Sequence, residues 1–532
     1  MKKKSVILIM LVLLLALTII PVLSGCNSNK VIVLKVYNAQ DYIQEGEDEG
    51  DEDVLKDFEV YYEELTGQKV RVQYDTFDTL ERAYTIINKR KADYDVFCPS
   101  DYIIEKMKKA DLLTPLDLNK IPNIENIPPY LLDRDFDRNN EYSVPYMWGT
   151  LGILYNADEI SEEDIKGWDL LWNAKYKNDI LMKDSIRDSV FIATIYAYRE
   201  ELAEFNKTAT PEKYREKLND LVNNITPEKL ATVEKELREQ YNILYAYEVD
   251  SGKDSMINGE ALVNLAWSGD AVWAIEEAAN NGINLDYYIP EEGSNVWFDN
   301  WVIPKYAKNV DIAHEFINFI CRPDIAVRNM DYIGYTTAVL SQESIEYMTD
   351  LDDETLATLD ENDYTYLFEN RDGVLNDSWL QKATEWGIDF TALKIPEVVL
   401  PSKDKTENCV EMTDFGEKQD MVVKMWTRVK ALPLGLEVKI FSICLAIAIV
   451  GIIAYSIYKK VEKKKLVAGK IEQLDNGNNT TQNNIFKTYI QKTKDFAGKV
   501  KSKITNLKKA NTKTKDIDKE NISETDSDNT QN

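Results

Sequence analysis

Apolar and polar positions along this chain repeat with two periods, and the two alternate. Val31–Tyr37 alternates as a strand, and Val54, Phe58, Tyr61 and Leu65 then recur at helical spacing until Gly67. Val70, Val72 and Tyr74 read as a second strand, Thr79–Lys91 as a helix, and Tyr94–Cys98 as a third strand. Pro99-Ser100-Asp101-Tyr102 closes that strand and opens another helix, with Ser100 at its N-cap. Strand and helix in alternation predict a parallel sheet with helical crossovers. Such sheets bind ligands beyond the carboxyl ends of their strands, where Asn38–Tyr42 and Ser100–Tyr102 fall.

The pattern restarts after Tyr142–Tyr155, an aromatic and glycine-rich stretch that reads as a crossing between two domains. Asp179–Met182 is a short strand, and Asp184 or Ser185 caps a helix carrying Asp188 in its first turns. Residues 198–250 read as charged outer helices, Ala261–Ala266 as a buried strand, Ala271–Ala279 as a helix and Leu285–Ile289 as a strand. Val310–Cys321 is a further helix and Asp414–Ala431 a last one, while the acidic stretch 340–405 gives no clear period. Gln44–Asp53 is an acidic loop whose plain reading is solvation, with calcium binding the lesser alternative.

Two apolar runs stand outside this pattern. Met-Lys-Lys-Lys leads into the run Val6–Leu23 and then Leu23-Ser24-Gly25-Cys26, a lipoprotein signal over residues 1–25 with Cys26 as the lipidated residue. Ile440–Tyr458 holds 19 residues without a charge and is followed by lysines. It reads as a transmembrane helix over residues 438–458, with residues 459–532 a cytoplasmic, disordered tail. That tail carries 17 lysines against 10 acidic residues, although the 532-residue chain has a formal net charge of -29. The acidic outer part argues against nucleic acid and for cationic ligands. Of five cysteines, Cys98, Cys321 and Cys409 remain once Cys26 and Cys444 are assigned to the membrane segments, and they make no disulfide framework. The single histidine, His314, supports neither a zinc site nor a hydrolytic triad, and no phosphate-binding loop appears. The chain reads as a binding protein without metal or other cofactor, and not as an enzyme.

The candidate chemistry lies in Val296–Pro304, where Trp297, Asp299 and Trp301 share one face of an extended run. A carboxylate framed by indoles can take an organic cation out of water. A core strand whose Asp caps a turn is the plain alternative for this stretch alone.

Several short motifs occur in order: Tyr37-Asn38 with Asp41-Tyr42, Asp95-Val96 with Pro99–Tyr102, Tyr142–Tyr146 with Trp148-Gly149-Thr150, Asp184–Asp188, Trp267-Ser268-Gly269, Trp297-Phe298-Asp299 and Ile333-Gly334-Tyr335. With these the chain resembles the spermidine/putrescine-binding proteins of bacterial ABC importers over roughly residues 34–340, and again near 409–431. The resemblance implies an α/β, two-lobed periplasmic-binding-protein fold of type II. It places lobe 1 in residues 31–148 and 299–340, and lobe 2 in residues 149–298 and 341–433. It implies an aromatic box of Tyr42, Tyr102, Trp267, Trp297 and Tyr335, amine-binding acids at Asp188 and Asp299, and a polar contact at Ser100, with Asp184 and Asp101 as lesser candidates. The partners implied are a polyamine and the permease of an importer, with the binding domain held outside the cell membrane. Ala39 stands where the family often has Trp, Asp184-Ser185 where it can have two acids, and Met412 where it has a Gln. Those departures leave open which polyamine is preferred. A membrane-anchored sensor, and a receptor for another small organic cation, are the competing readings.

Overall fold

The structure is a computed structural model. It describes residues 31–46, 52–90, 92–431, 451–462, 488 and 491. The chain divides into two units, residues 1–431 and 432–532. In the first unit the strands follow the order β2 (Val70–Phe77), β1 (Ile32–Ala39), β3 (Val96–Phe97), β9 (Ser294–Val302), β4 (Ser143–Asn156), β7 (Val263–Trp267), β5 (Ile180–Lys183) and β6 (Leu244–Glu248). Strands β8 (Leu285–Tyr288) and β10 (Thr336–Thr337) pair with β4, and β11 (Cys409–Val410) pairs with β9.

The parallel halves form where the alternating pattern predicted them. β1 runs parallel to both β2 and β3, and β5 runs parallel to both β6 and β7. Between these halves lie two long antiparallel strands. β4 is buried at all 14 of its positions. Its first half, Ser143–Thr150, pairs with β9, and its second half, Leu151–Asn156, pairs with β7 and β8. The predicted crossing at Tyr142–Tyr155 is thus one continuous strand that changes partners near residue 150. Asp299, Phe298 and Trp297 face Met147, Trp148 and Gly149 across it. This is the two-lobed α/β solute-binding fold.

Three apolar clusters support the sheet, and the first of them reaches across it to Leu154, Ala266 and Leu285. Val36, Phe58, Phe97, Ile104, Trp301 and Phe316 belong to the first. Leu151, Trp168, Ile180, Phe191 and Leu265 form the second, with an outer layer of Val190, Leu237, Met425 and Trp426. The Asp95 carboxylate pins β1 to the segment before helix Val310–Ile320, accepting from the backbone N–H groups of Lys35, Lys308 and Asn309. His314 sits on that helix as a structural residue. Its Nε2 accepts from the Asp117 N–H and its Nδ1 lies 2.7 Å from the Val310 carbonyl.

The acidic stretch after residue 340 is ordered, and it packs against Tyr130 and reaches the Glu125 carbonyl through Lys382. Tyr364, Tyr366, Phe368, Trp379 and Phe390 join the first core, and Tyr366 packs edge-on against Tyr130 at 5.0 Å. The period was obscured because this stretch is built from short helical turns that bury scattered aromatics, not from one amphipathic face. The helix Gln419–Lys430, by contrast, packs on the second lobe through Val422, Met425 and Trp426. Cys98, Cys321 and Cys409 are buried thiols.

The expected signal segment with Cys26, the first half of the expected membrane span with Cys444, and nearly all of the tail lie outside the described residues. Residues 451–462 are helical. Among the described residues, no helix is long and apolar enough to cross a membrane.

Candidate functional site

Both lobes send their strand ends to the place where β4 and β9 cross. Tyr42 follows β1, Ser100 follows β3, Trp267 ends β7, and Ser185 and Asp188 follow β5. A parallel strand ends by releasing its chain into a loop or a helix start, so side chains there are free to face a ligand. Asp299 comes from the crossing itself.

Asp299 accepts two hydrogen bonds, from the Tyr42 hydroxyl at 2.7 Å and from the Ser100 hydroxyl at 2.5 Å. Ser100 was expected to cap helix Asp101–Lys109. It sits at the N-cap position but makes no side-chain cap, and its hydroxyl is turned to Asp299 instead. Burial and, to a lesser extent, the charge of Asp188 raise the Asp299 carboxyl to about 6, against the pull of those two hydrogen bonds. The carboxyl is therefore poised for a cation that would replace the water it has lost.

Asp188 is buried in the first turn of helix Ile186–Ala197. Ser185 caps that helix, accepting from the Asp188 N–H. Burial raises the Asp188 carboxyl too, opposed by hydrogen bonds from Ser185 and Trp267 and by the charge of Lys183. The two acids come from different lobes and feel one another's charge.

Aromatic rings join them. Tyr335 meets Tyr42 edge-on at 5.3 Å and Trp297 at 5.4 Å, and its hydroxyl donates to Asp270 at 2.8 Å. Tyr42 is held from behind, since its carbonyl accepts from the Asn38 amide and from the Tyr146 hydroxyl. Gly149 leaves space for the Trp297 ring, which a methyl group there would strike. Tyr102 lies where the charges of Glu81, Asp188 and Arg187 act on its hydroxyl, on the side of the second lobe.

The structure thus brings together Tyr42, Ser100, Trp297, Asp299 and Tyr335 by direct contact, and sets Asp188 near Trp267. Four sequence readings end elsewhere. Trp301 shares an alternating register with Trp297 but is fully buried between Tyr146 and Phe316, in the first core. Asp184 gives both oxygens to Lys430 at 2.6 Å, at the outer helix. Asp101 is buried, with one oxygen on its neighbour's N–H and the other unpartnered, and burial holds its carboxyl well above the usual range. Met412 packs in the second core.

Four residues near the site escaped sequence reading: Asp270, Tyr146, Lys183 and Glu248. Asp270 directly follows Trp267-Ser268-Gly269 and reads only as a favourable acid in a helix's first turn. Tyr146 lies inside the motif Tyr142–Tyr146 without having been given a role, and nothing in the local pattern marks Lys183 or Glu248. Among the described residues, no cluster of His, Cys, Asp and Glu is arranged to hold a metal ion.

Known proteins carry the same pattern. The profile of the bacterial extracellular solute-binding protein family matches residues 56–389. The spermidine/putrescine-binding periplasmic protein of Escherichia coli (strain K12) is 28% identical over 335 residues, covering 63% of this chain and 85% of the relative. The putrescine-binding periplasmic protein SpuD of Pseudomonas aeruginosa (strain UCBPP-PA14) is 30% identical over 340 residues, covering 60% of this chain and 83% of the relative. Among solved structures, the spermidine/putrescine ABC transporter substrate-binding protein PotD of Streptococcus pneumoniae aligns with a TM-score of 0.52 at 30% identity, over 75% of this chain and 98% of that one. The match extends over both lobes and the crossing strands, and the chain belongs to the bacterial extracellular solute-binding protein family, whose members are binding proteins and not enzymes.

Proposed function

We propose that this chain is the extracytoplasmic substrate-binding component of an ABC importer and captures a polyamine between its lobes. The observation that carries the reading is Asp299: a largely buried carboxylate, hydrogen-bonded by Tyr42 and Ser100, beside the rings of Trp297 and Tyr335. A polyamine is a flexible apolar rod with ammonium groups along it. It needs an acid for each end and aromatic walls for the methylenes. Asp299 and Asp188 take the ammonium groups, Tyr42, Tyr102, Trp267, Trp297 and Tyr335 line the methylenes, and Ser100 orients Asp299. The lobe layout that goes with this reading takes residues 31–148, 299–340 and the added 341–400 segment as one lobe, and 149–298 with 409–431 as the other.

Calorimetry on the purified chain with putrescine, spermidine and spermine tests the assignment. Heat of binding with at least one supports it, and no heat with any of the three refutes it.

A pH dependence follows from Asp299. The free protein holds this proton more tightly than the unfolded chain does, because the carboxyl is raised from 3.8 to about 6. Its contribution to stability is therefore greatest below pH 4 and is lost as pH rises through 6, by about 2 to 3 kcal/mol. A bound ammonium reverses the preference, since it favours the ionised form. Polyamine affinity is expected to fall about tenfold between pH 7 and pH 5, with proton uptake by the buffer on binding near pH 6. Titrations in buffers of different ionisation enthalpy read this directly. A flat affinity with no buffer dependence would show that Asp299 is not the acid being paired.

We place residues 438–458 across the membrane, with Cys26 lipidated and the lysine-rich tail in the cytoplasm, from the apolar runs and their flanking lysines. Tethering at both ends holds the receptor at high effective concentration near its permease. Removing residues 432–532 is expected to leave polyamine affinity within about twofold while lowering uptake by cells. Unchanged uptake would argue against the tether.

A further inference from the structure

One ammonium group is already enclosed beside the site, and it belongs to the chain. Lys183 ends β5, immediately before the turn into the helix that carries Asp188. Its side chain is 1% exposed. The ammonium lies 3.0 Å from Glu248 and 3.2 Å from Asp270, donates to the Val249 carbonyl at 2.9 Å, and sits 4.1 Å from the centre of the Trp267 ring. Two carboxylates, a carbonyl and an indole face are what a protein would assemble to hold a ligand's ammonium. Here a side chain fills the assembly.

The arrangement is continuous with the site. Asp270 also accepts from Tyr335, and the Lys183 charge acts on the Asp188 carboxyl beside Trp267. Lys183 thus borders the place where the second-lobe end of a bound rod would lie. It also alters the charge left for a ligand. Glu248 and Asp270 are ion-paired with Lys183, whereas Asp188 and Asp299 form no ion pair among the described residues. A ligand meets two acids free to pair, and beyond Trp267 it meets a fixed positive charge. Like charge placed against a competing ligand is an established way of building specificity.

We propose that Lys183 is a specificity-determining residue: its ammonium occupies the place that a third ligand ammonium would take, so the chain prefers a diammonium ligand to a longer polyamine. The inference rests on the polyamine reading above.

Calorimetry with putrescine and spermidine on the full chain, beside Lys183→Ala, separates the two. The intact chain is expected to bind putrescine about tenfold or more tightly than spermidine. Lys183→Ala opens both the space and the acids, and is expected to move the ratio toward spermidine by about tenfold. Losing a buried cation leaves Glu248 and Asp270 unpaired, so the single variant can fail to fold. Lys183→Ala with Glu248→Gln removes opposite charges together and serves as the folded counterpart. Tighter binding of spermidine than putrescine by the intact chain overturns the inference without any variant. An unchanged ratio in a folded variant overturns it as well, and leaves the polyamine reading standing. No binding of either ligand by the intact chain removes that reading itself.

Discussion

Asp299→Asn is expected to weaken polyamine binding by about 100- to 1,000-fold, and at the same time to make the free protein more stable at pH 7. The two effects have one cause. The ionised carboxylate lies in a largely enclosed site with only two neutral donors, Tyr42 and Ser100, and burial has already pushed its pKa to about 6. At pH 7 the unliganded fold therefore bears the cost of an ionised group that has lost its water. Asn keeps the shape and one acceptor but bears no charge, so the free state is relieved. The complex loses the partner of a desolvated ammonium, a change that costs roughly 3 to 4 kcal/mol when one member of a close buried pair is removed. Calorimetry and thermal unfolding of the same preparation give both readouts. Lost binding with a raised melting temperature identifies Asp299 as a ligand group built at the expense of stability. Lost binding with a lowered melting temperature would instead make it part of the scaffold, and the site would have to be sought elsewhere.

The second large effect is expected from Gly269→Ala, at a residue that touches no ligand in this reading. Gly269 is the second residue of helix Ser268–Asn280, and a methyl group there would overlap the Tyr335 ring. That ring cannot simply swing aside. It is held by the hydrogen bond from its hydroxyl to Asp270, by Tyr42 on one side and by Trp297 on the other. Gly334, at φ +77°, caps the preceding helix Pro323–Ile333 and sets where Tyr335 leaves it. Overpacking of this kind costs about 1–3 kcal/mol in stability, and displacement of one aromatic wall is expected to lower affinity about 10- to 100-fold. Combining Gly269→Ala with Tyr335→Leu supplies the control. Relief of the overlap makes the stability costs fall short of additive, while affinity stays low. Full additivity in stability would mean that the two residues do not contact one another in solution.

The site is a balance between ionic cost and aromatic enclosure. Free carboxylates, an indole at Trp297 and a ring at Tyr335 are gathered where two strands change partners. Among the described residues, β4 and β9 join the two halves of the sheet.

Much of this was legible in the linear order of residues. The alternation of strand and helix before residue 120 and again after residue 179 dictated two parallel half-sheets, because a strand period of two and a helix period of 3.6 leave distinct apolar patterns. A polar turn after the first strand and helix starts after the others marked the strand ends, and so the positions of Tyr42, Ser100, Asp188 and Trp267. Trp297 and Asp299 stood out because two indoles around one acid are costly in a core and useful in a site.

What tertiary structure alone decided is which of these side chains meet. Trp297 and Trp301 are equivalent by alternation, yet one faces the site and the other the first core, because Ser100 bridges to Asp299 and Tyr146 covers Trp301. Asp184 and Asp188 stand four residues apart, yet Lys430, from more than 240 residues away, claims the first and leaves the second beside Trp267. The aromatic stretch after residue 340 found Tyr130, and Lys183 found its acids at the end of β6 and in the first turn of helix Ser268–Asn280. Local periodicity determines which face of an element is buried. It carries no information about which distant partner supplies the burial or the counter-charge, and that choice is made only when non-local contacts repay the entropy of closing the chain.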